Sequence, residues 1–450
     1  MNTIAVRLSL ALICLMVFSF SYAQDQRVSD SDTLKILAKQ FVERLAQEDF
    51  SSTIKYFDST MITALPVEKL REIWGYLIAQ AGHMKKQTGV RIEKSAQYDI
   101  VYVTCEFEKA SLDIKVVFNI MKEIAGLFFA PSSSSSEYTL PAYTHPESFR
   151  EKEVVVGRGE WALPGTITFP LGTGPFPALV LVHGSGPNDR DESIGPNKVF
   201  RDLAWGLASQ GIAVLRYEKR TKVYAIKLNT LKDSLTVKEE TIDDALAAAS
   251  LLRRTKEIDT THIFMLGHSL GGTLIPRIGM GDPALSGFII MAGVTTPFED
   301  IILRQLTYIY SLDDTLSDTE KTQLEQMKKQ VAQVKDPTLS VTTPGKNLPF
   351  GAPAKYWLDL RGYQPSEMAK NLKQPLLIIQ GERDYQATME DFRGWKNSLS
   401  SRQNVEFKTY PTLNHLFIEG TGKSTPEEYQ TAGHVAEFVI YDLAHWIKKY

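Results

Sequence analysis

The chain has 450 residues, a formal net charge of −3, and apolar and charged fractions of 43% and 23%, the profile of a globular protein long enough for two domains. That charge balance gives no electrostatic case for a nucleic acid or an anionic membrane surface as partner. Basic runs such as Lys219-Arg220 and Lys448-Lys449 read as solvated faces.

At the amino terminus, Arg7 precedes an apolar run from Leu8 to Phe20, followed by Ser21-Tyr22-Ala23 before Gln24. This is the pattern of an export signal cleaved after Ala23, and the run is too short for a membrane span. The mature protein is therefore expected in the periplasm or outside the cell, with no integral membrane segment. Cys14 leaves with the signal, and Cys105 remains alone. An internal disulfide and a cysteine zinc cluster are thereby excluded, and Cys105 is expected as a small buried hydrophobe.

Residues 24–130 read as a small α+β domain. Leu34, Leu37, Phe41 and Leu45, then Val67, Leu70, Trp74 and Leu77, recur at helical spacing. Val101, Val103, Cys105 and Phe107, then Leu112, Ile114, Val116 and Phe118, alternate as antiparallel strands do. His83 stands apart from any other catalytic residue type. A Ser- and Pro-rich linker is placed at 131–150, with Ser132 to Ser136 at its centre.

From 151 to 450 the pattern becomes strand and helix in alternation. Val154–Val156 and Gly165–Phe169 predict an edge hairpin. Ala178–Val182, Ile212–Arg216, Ile263–Leu266, Phe288–Met291, Leu376–Ile379 and Val405–Tyr410 predict parallel strands. Helices are predicted at Val199–Ala208, Thr241–Leu252 and about Ala432–Lys448. Near-continuous apolar strands separated by helices mean a mostly parallel sheet covered on both faces. A long insertion at about 294–370 interrupts the rhythm, with helical patterns at Phe298–Tyr310 and Ser317–Val334. Its place after the strand that follows the central motif is where a cap over the site would sit.

That central motif is Gly267-His268-Ser269-Leu270-Gly271, a G-x-S-x-G nucleophile elbow between a strand and a helix. A serine hydroxyl needs a base and an anion-stabilising site, and the triad on such a sheet runs in the order Ser, acid, His. Asp384, just past the Leu376–Ile379 strand, is the expected acid, with Glu382 and Asp391 as competitors. His415, in the loop after Val405–Tyr410, is the expected base. His434 and His445 lie in or beside the terminal helix, and His268 faces the turn, where it can tune the site but not readily serve as base. For the oxyanion, Leu270 N–H is one expected donor. The second comes from His183-Gly184-Ser185-Gly186-Pro187, with Ser185 first and Gly186 in reserve. The adjoining Asp189, Arg190, Asp191 and Glu192 are expected as solvated rim charges. No metal-ligand spacing and no phosphate-binding loop is present, so neither metal nor cofactor is expected.

Through His183-Gly184-Ser185-Gly186, the elbow, Gly381-Glu382-Arg383-Asp384 and Asn414-His415, residues 150–450 resemble the α/β-hydrolase superfamily. Tyr356 to Tyr363 and Ser424 to Tyr429 look like secreted bacterial esterase-type hydrolases with a small amino-terminal domain of unknown function. The small domain resembles, loosely, the cone-shaped α+β folds of the nuclear-transport-factor-like kind. The resemblance implies a carboxylesterase for short acyl esters and carries over Ser269, Asp384 and His415 as its triad. A serine aminopeptidase is similar in fold and motif and would need a carboxylate clamp for a free amino terminus, from Glu218 or the Asp189–Glu192 cluster. A non-catalytic binding module is the third reading, and intact chemical roles in chain order speak against it.

Overall fold

The computed structural model describes residues 31–95, 98–108, 110–131, 138–230, 234–312 and 316–450. The expected signal at 1–23 and the centre of the linker, Ser132 to Ser136, lie outside them. The chain divides into two compact units, Met1–Ser136 and Glu137–Tyr450.

In the first unit, Leu34, Ala38, Phe41, Val42 and Leu45 form the buried stripe of α1 (Ser31–Ala46), as an amphipathic helix requires. Asp49 and Asp58 accept backbone N–H bonds at the starts of α2 (Phe50–Thr53) and α3 (Ser59–Ala64) and so cap them. After α4 (Val67–Ala81), four antiparallel strands pair in chain order: β1 (Met84–Ser95), β2 (Tyr98–Phe107), β3 (Ser111–Phe118) and β4 (Ile124–Pro131). The alternating residues of β2 and β3 face one core with α1 and Trp74. Burial pushes the Cys105 thiol up to about 12, so it is a packing residue. The edge strand β4 escapes pattern reading because Leu127-Phe128-Phe129 breaks a period of two.

The second unit begins earlier than its first predicted strand. Tyr143 packs in the core beside α5 (Val199–Ser209), and His145 N–H donates to Ser209 at 2.9 Å, so the carboxyl half of the expected linker belongs to this unit. The eight-stranded sheet starts with the edge hairpin β5 (Phe149–Val156) and β6 (Leu163–Pro170) and the central β7 (Phe176–Val182). A ribbon of β8 (Ser193–Ile194) and β9 (Asn197–Lys198) precedes α5, and β10 (Ala213–Tyr217) follows it. Short helices α6 (Arg220–Val223) and α7 (Ala225–Thr230), a π-helical turn at Lys238–Ile242 and α8 (Asp243–Arg253) lead to β11 (Ile258–His268). Then come α9 (Leu270–Gly281) and β12 (Gly287–Met291).

The insertion carries α10 (Phe298–Tyr310), α11 (Asp318–Lys335), α12 (Ala354–Leu360) and α13 (Pro365–Ala369). Ser317 caps α11 from outside, in a reciprocal capping box with Glu320. The fold closes with β13 (Leu376–Gly381), α14 (Met389–Leu399), β14 (Val405–Tyr410) and α15 (Glu437–Lys449). The last helix starts five residues later than about Ala432 because Gly433 and Val435 N–H donate to Asn197 and Asp202 instead.

The sheet order is β14-β13-β12-β11-β7-β10-β6-β5. All pairs from β14 to β10 are parallel, and β6 runs antiparallel to both neighbours. Successive residues point to opposite faces: Val180 and Val182 enter one apolar cluster, Leu179 and Leu181 the other. This is the α/β fold expected of the sequence, helices covering both faces of a mostly parallel sheet. The chain leaves β7 to one side for β10 and returns on the other side as β11, a switch point where α/β sheets open a crevice at their carboxyl ends. Gly267 pairs with Val182, so the elbow and the loop after β7 emerge side by side.

Candidate active site

Ser269 stands at that crevice with φ 54° and ψ −118°, a left-handed conformation that a residue with a Cβ adopts only under strain. Its N–H donates to Met291 O at 2.9 Å, and its C=O accepts from Thr273 N–H at 2.9 Å, so β12 and α9 hold the turn. A Cβ on Gly267 would lie 2.3 Å from the Gly271 backbone, and one on Gly271 would lie 2.3 Å from Val182 O. Glycine is therefore required at both flanks by close approach rather than by backbone angle. Leu270 opens α9, and its N–H, in the first turn, has no intrahelical acceptor.

Asp384 and His415 meet each other. His415 Nδ1 lies 2.7 Å from Asp384 Oδ2, with both residues buried. The carboxylate is held by three more donors: Gln380 Nε2 at 3.0 Å on Oδ2, and the N–H groups of Gln386 and Ala387 at 2.7 and 3.0 Å on Oδ1. A carboxylate accepting on Nδ1 leaves Nε2 of the imidazole free to accept a proton. The loop carrying His415 is shaped by Asn414, whose Oδ1 accepts from Leu416 and Ile418 N–H at 3.0 and 3.2 Å. Ser269 Oγ makes no hydrogen bond among the described residues; such contacts tighten when substrate arrives.

The two competing acids have other work. Glu382 is exposed and accepts from Thr409 Oγ1 at 2.7 Å. Asp391, fully buried in α14, accepts from Thr295 and Thr296 N–H at 3.0 Å and pairs with Arg304 of α10 at 2.5 Å. It anchors the root of the insertion. The insertion reaches the site's supports directly: Tyr308 of α10 stacks on Tyr385 with ring centres 4.9 Å apart, and Tyr363 OH donates to Thr273 O at 2.7 Å. His434 bonds Thr139 and Asp202, His445 is exposed on α15, and His83 is exposed in the first unit.

The charged loop after β7 departs from expectation. Asp191 and Glu192 are buried rather than solvated. Asp191 pairs with Arg216 and with Arg201, and Arg190 is bound by Glu153 and Glu218 at 2.7 and 3.0 Å. Asp189 accepts from Asp191 and Ser193 N–H at 3.1 and 2.9 Å. Lys219 and Arg220 are likewise buried, against Glu240 and Asp244. The reason is shared: each charge has a partner or a backbone group that replaces water. Ser185, by contrast, is exposed at the tip of the loop. A Cβ on Gly184 would come within 3.1 Å of Ser269 Cβ, so this backbone lies directly beside Ser269.

The buried bonds of Glu192 to the residues around Ser269 were not apparent in the sequence. Its Oε1 accepts from Gly184 N–H at 2.6 Å, and its Oε2 lies 2.9 Å from His268 Nδ1. His268 Nε2 in turn lies 2.9 Å from His415 O. A carbonyl only accepts, so Nε2 carries a proton, and with an ionised Glu192 on Nδ1 the ring is an imidazolium. The signal in the sequence was an acid in a short loop behind Gly184 together with a histidine beside the serine. Burial disfavours the charge of His268, but the Glu192 carboxylate and the His415 carbonyl outweigh it and raise its pKa above the usual 6.5. Burial also works against the Glu192 charge, and His268 outweighs it, holding the carboxyl below the usual 4.5.

The pair's stabilisation is thus fully present between pH 4.5 and 6.5. It declines as pH rises through the elevated His268 value, or falls through the depressed Glu192 value. Thermal unfolding from pH 5 to 9 is expected to show Glu192→Gln less stable by about 2 kcal/mol at pH 5.5–6.5, with the gap narrowing on the alkaline side. A gap independent of pH would refute the ion pair.

Residues 38–127 match a family model described as a protein of unknown function (DUF3887). Over 411 residues the chain is 42% identical to Esterase EstD of Thermotoga maritima, covering 91% of this chain and 94% of that one. Similar solved structures include an esterase of Pyrococcus furiosus, 17% identical over 67% of this chain and 92% of that one with a TM-score of 0.42. Another is the esterase domain of a Rhodothermus marinus protein, 17% identical over 67% and 99% with a TM-score of 0.41.

Proposed function

Because this chain belongs to the α/β-hydrolase esterase family that includes Esterase EstD, and is a carboxylesterase, we propose that it cleaves short-chain acyl esters with Ser269, His415 and Asp384 as its triad. Ser269 Oγ attacks the ester carbonyl while His415 Nε2 takes its proton, and His415 then protonates the leaving alcohol. Water deacylates the enzyme by the same steps in reverse order. Leu270 and Ser185 N–H bind the tetrahedral oxyanion. The observations that carry the reading are the buried Asp384–His415 bond of 2.7 Å and the strained backbone of Ser269 in the elbow.

The ester reading is favoured over an aminopeptidase because the carboxylates available for an amine clamp are already engaged. Glu218 is held by Arg190 and Lys222, Asp191 by Arg216 and Arg201, and Glu192 by His268. The preference for short acyl groups is supported by the cap, whose Ile302, Val334, Tyr356, Trp357 and Leu360 are buried in the domain core. The signal pattern of residues 1–23 supports export, with the enzyme working in the periplasm or beyond.

The test is a panel of p-nitrophenyl esters from acetate to decanoate beside aminoacyl-p-nitroanilides, with fluorophosphonate labelling. The expected result is highest kcat/KM at two to four acyl carbons and label on Ser269, and an exported enzyme whose intact mass begins at Gln24. Faster release from anilides than from esters would instead establish the peptidase.

A further inference from the structure

Lys219 is a buried cation that the reaction above leaves without a role. It is 2% exposed, and Glu240, its partner, is 7% exposed. Lys219 Nζ donates to Gly184 O at 2.7 Å and to Glu240 Oε1 at 2.6 Å. Tyr356 OH, from α12 of the cap, donates to the other oxygen of Glu240 at 2.9 Å. Glu240 lies in the π-helical turn at Lys238–Ile242, a distortion frequent at functional sites. A buried ion pair is weak evidence of stabilisation, since desolvation offsets most of its attraction. What the pair does is set by the atom it touches.

That atom is the carbonyl of the peptide whose N–H belongs to Ser185. In a planar trans peptide the C=O and N–H point in opposite directions. A cation fixed on the carbonyl therefore fixes the N–H to the other side and draws electron density away from it, making it a stronger donor. Asn188 Nδ2 adds a second donor to the same carbonyl at 3.2 Å, while Glu192 Oε1 holds Gly184 N–H at 2.6 Å. The peptides on both sides of Gly184 are thus clamped by buried charges, next to the Ser269 side chain.

We propose that Lys219 is a positioning residue of the oxyanion site, pinning and polarising the Gly184–Ser185 peptide, and that Glu240 and Tyr356 couple that peptide to the cap. This rests on the reading of Ser269 as nucleophile and Ser185 N–H as donor. Losing a donor outright lowers kcat by about 10²–10³-fold, and Lys219 acts one contact away.

Two variants test it, with kcat and KM for p-nitrophenyl butyrate and inhibition by phenylboronic acid, which forms a tetrahedral adduct on the serine. Lys219→Met with Glu240→Gln removes both charges together, so neither is left buried alone. Its kcat is expected to fall roughly 10–100-fold with KM within about twofold, and boronate affinity to fall by the factor seen in kcat. Tyr356→Phe, which removes a hydroxyl and no charge, is expected to lower both roughly 3–5-fold, acting at a further remove. If the double variant does not fold, Tyr356→Phe decides by the same two readouts. Unchanged kcat and boronate affinity in the folded variants would overturn the role of Lys219, and so would a loss of kcat with boronate affinity intact. Ester turnover retained by Ser269→Ala would overturn the nucleophile itself; an inactive Ser269→Ala beside unaffected Lys219 and Tyr356 variants removes only the positioning role.

Discussion

Ser269→Ala is expected to lower kcat for p-nitrophenyl butyrate by about 10⁵-fold, toward the residual 10³–10⁴-fold acceleration over water that an oxyanion site and binding alone sustain. The substitution deletes one oxygen that makes no hydrogen bond among the described residues, so folding is expected to be untouched. The strain at φ 54° is felt by alanine and serine alike, because it arises from the shared Cβ. The anchoring bond from residue 269 N–H to Met291 O is a backbone bond and survives the change. Melting temperature within about 2 °C of wild type, or slightly above it, is therefore the companion result, active-site polar groups being held for chemistry rather than stability. More than a hundredth of wild-type turnover in pure Ser269→Ala would remove Ser269 as nucleophile.

Asp384→Asn is expected to lower kcat by about 10⁴-fold, the size of a tautomer fault in such triads. Asp384 receives four donors: Gln386 and Ala387 N–H on one oxygen, Gln380 Nε2 and His415 Nδ1 on the other. Asparagine offers one oxygen and one NH₂. With its oxygen toward the two backbone groups, which cannot change, its NH₂ meets Gln380 Nε2 and His415 Nδ1. His415 then moves its proton to Nε2 and can no longer accept one from Ser269. One buried donor is left facing another, so a loss of about 1–3 kcal/mol in stability accompanies the loss of rate. Steady-state kinetics with chemical denaturation check both. A kcat within tenfold of wild type would show that the acid is elsewhere.

The two substitutions separate roles that one inactive variant would confound. An inert but fully stable Ser269→Ala reports chemistry, whereas Asp384→Asn reports chemistry together with the hydrogen bonds that place the imidazole. Glu192→Gln adds the layer behind them, since His268 joins that carboxylate to the carbonyl of His415.

What the amino-acid sequence by itself determined is whatever depends on local pattern. Apolar runs such as Ala178–Val182 and Leu376–Ile379 declared the parallel sheet, because strands buried on both faces admit few polar residues. The elbow was legible at Gly267-His268-Ser269-Leu270-Gly271 because its tight approach tolerates only glycine at both flanks. The pairing of Asp384 with His415 was legible by their positions after successive strands. Only the tertiary structure decided the partners of charged residues. Asp191, Glu192, Lys219 and Arg220 look solvated in a linear reading, since a charge is buried only where distant segments bring counter-charges or backbone groups to it. Glu192 meets His268 across 76 positions, and Tyr356 meets Glu240 across 116. No local period records such encounters. They exist because β7, β10 and β11 end side by side, which brings an acid loop and a buried lysine to the Gly184 backbone, with the cap tyrosine bonded one contact further out.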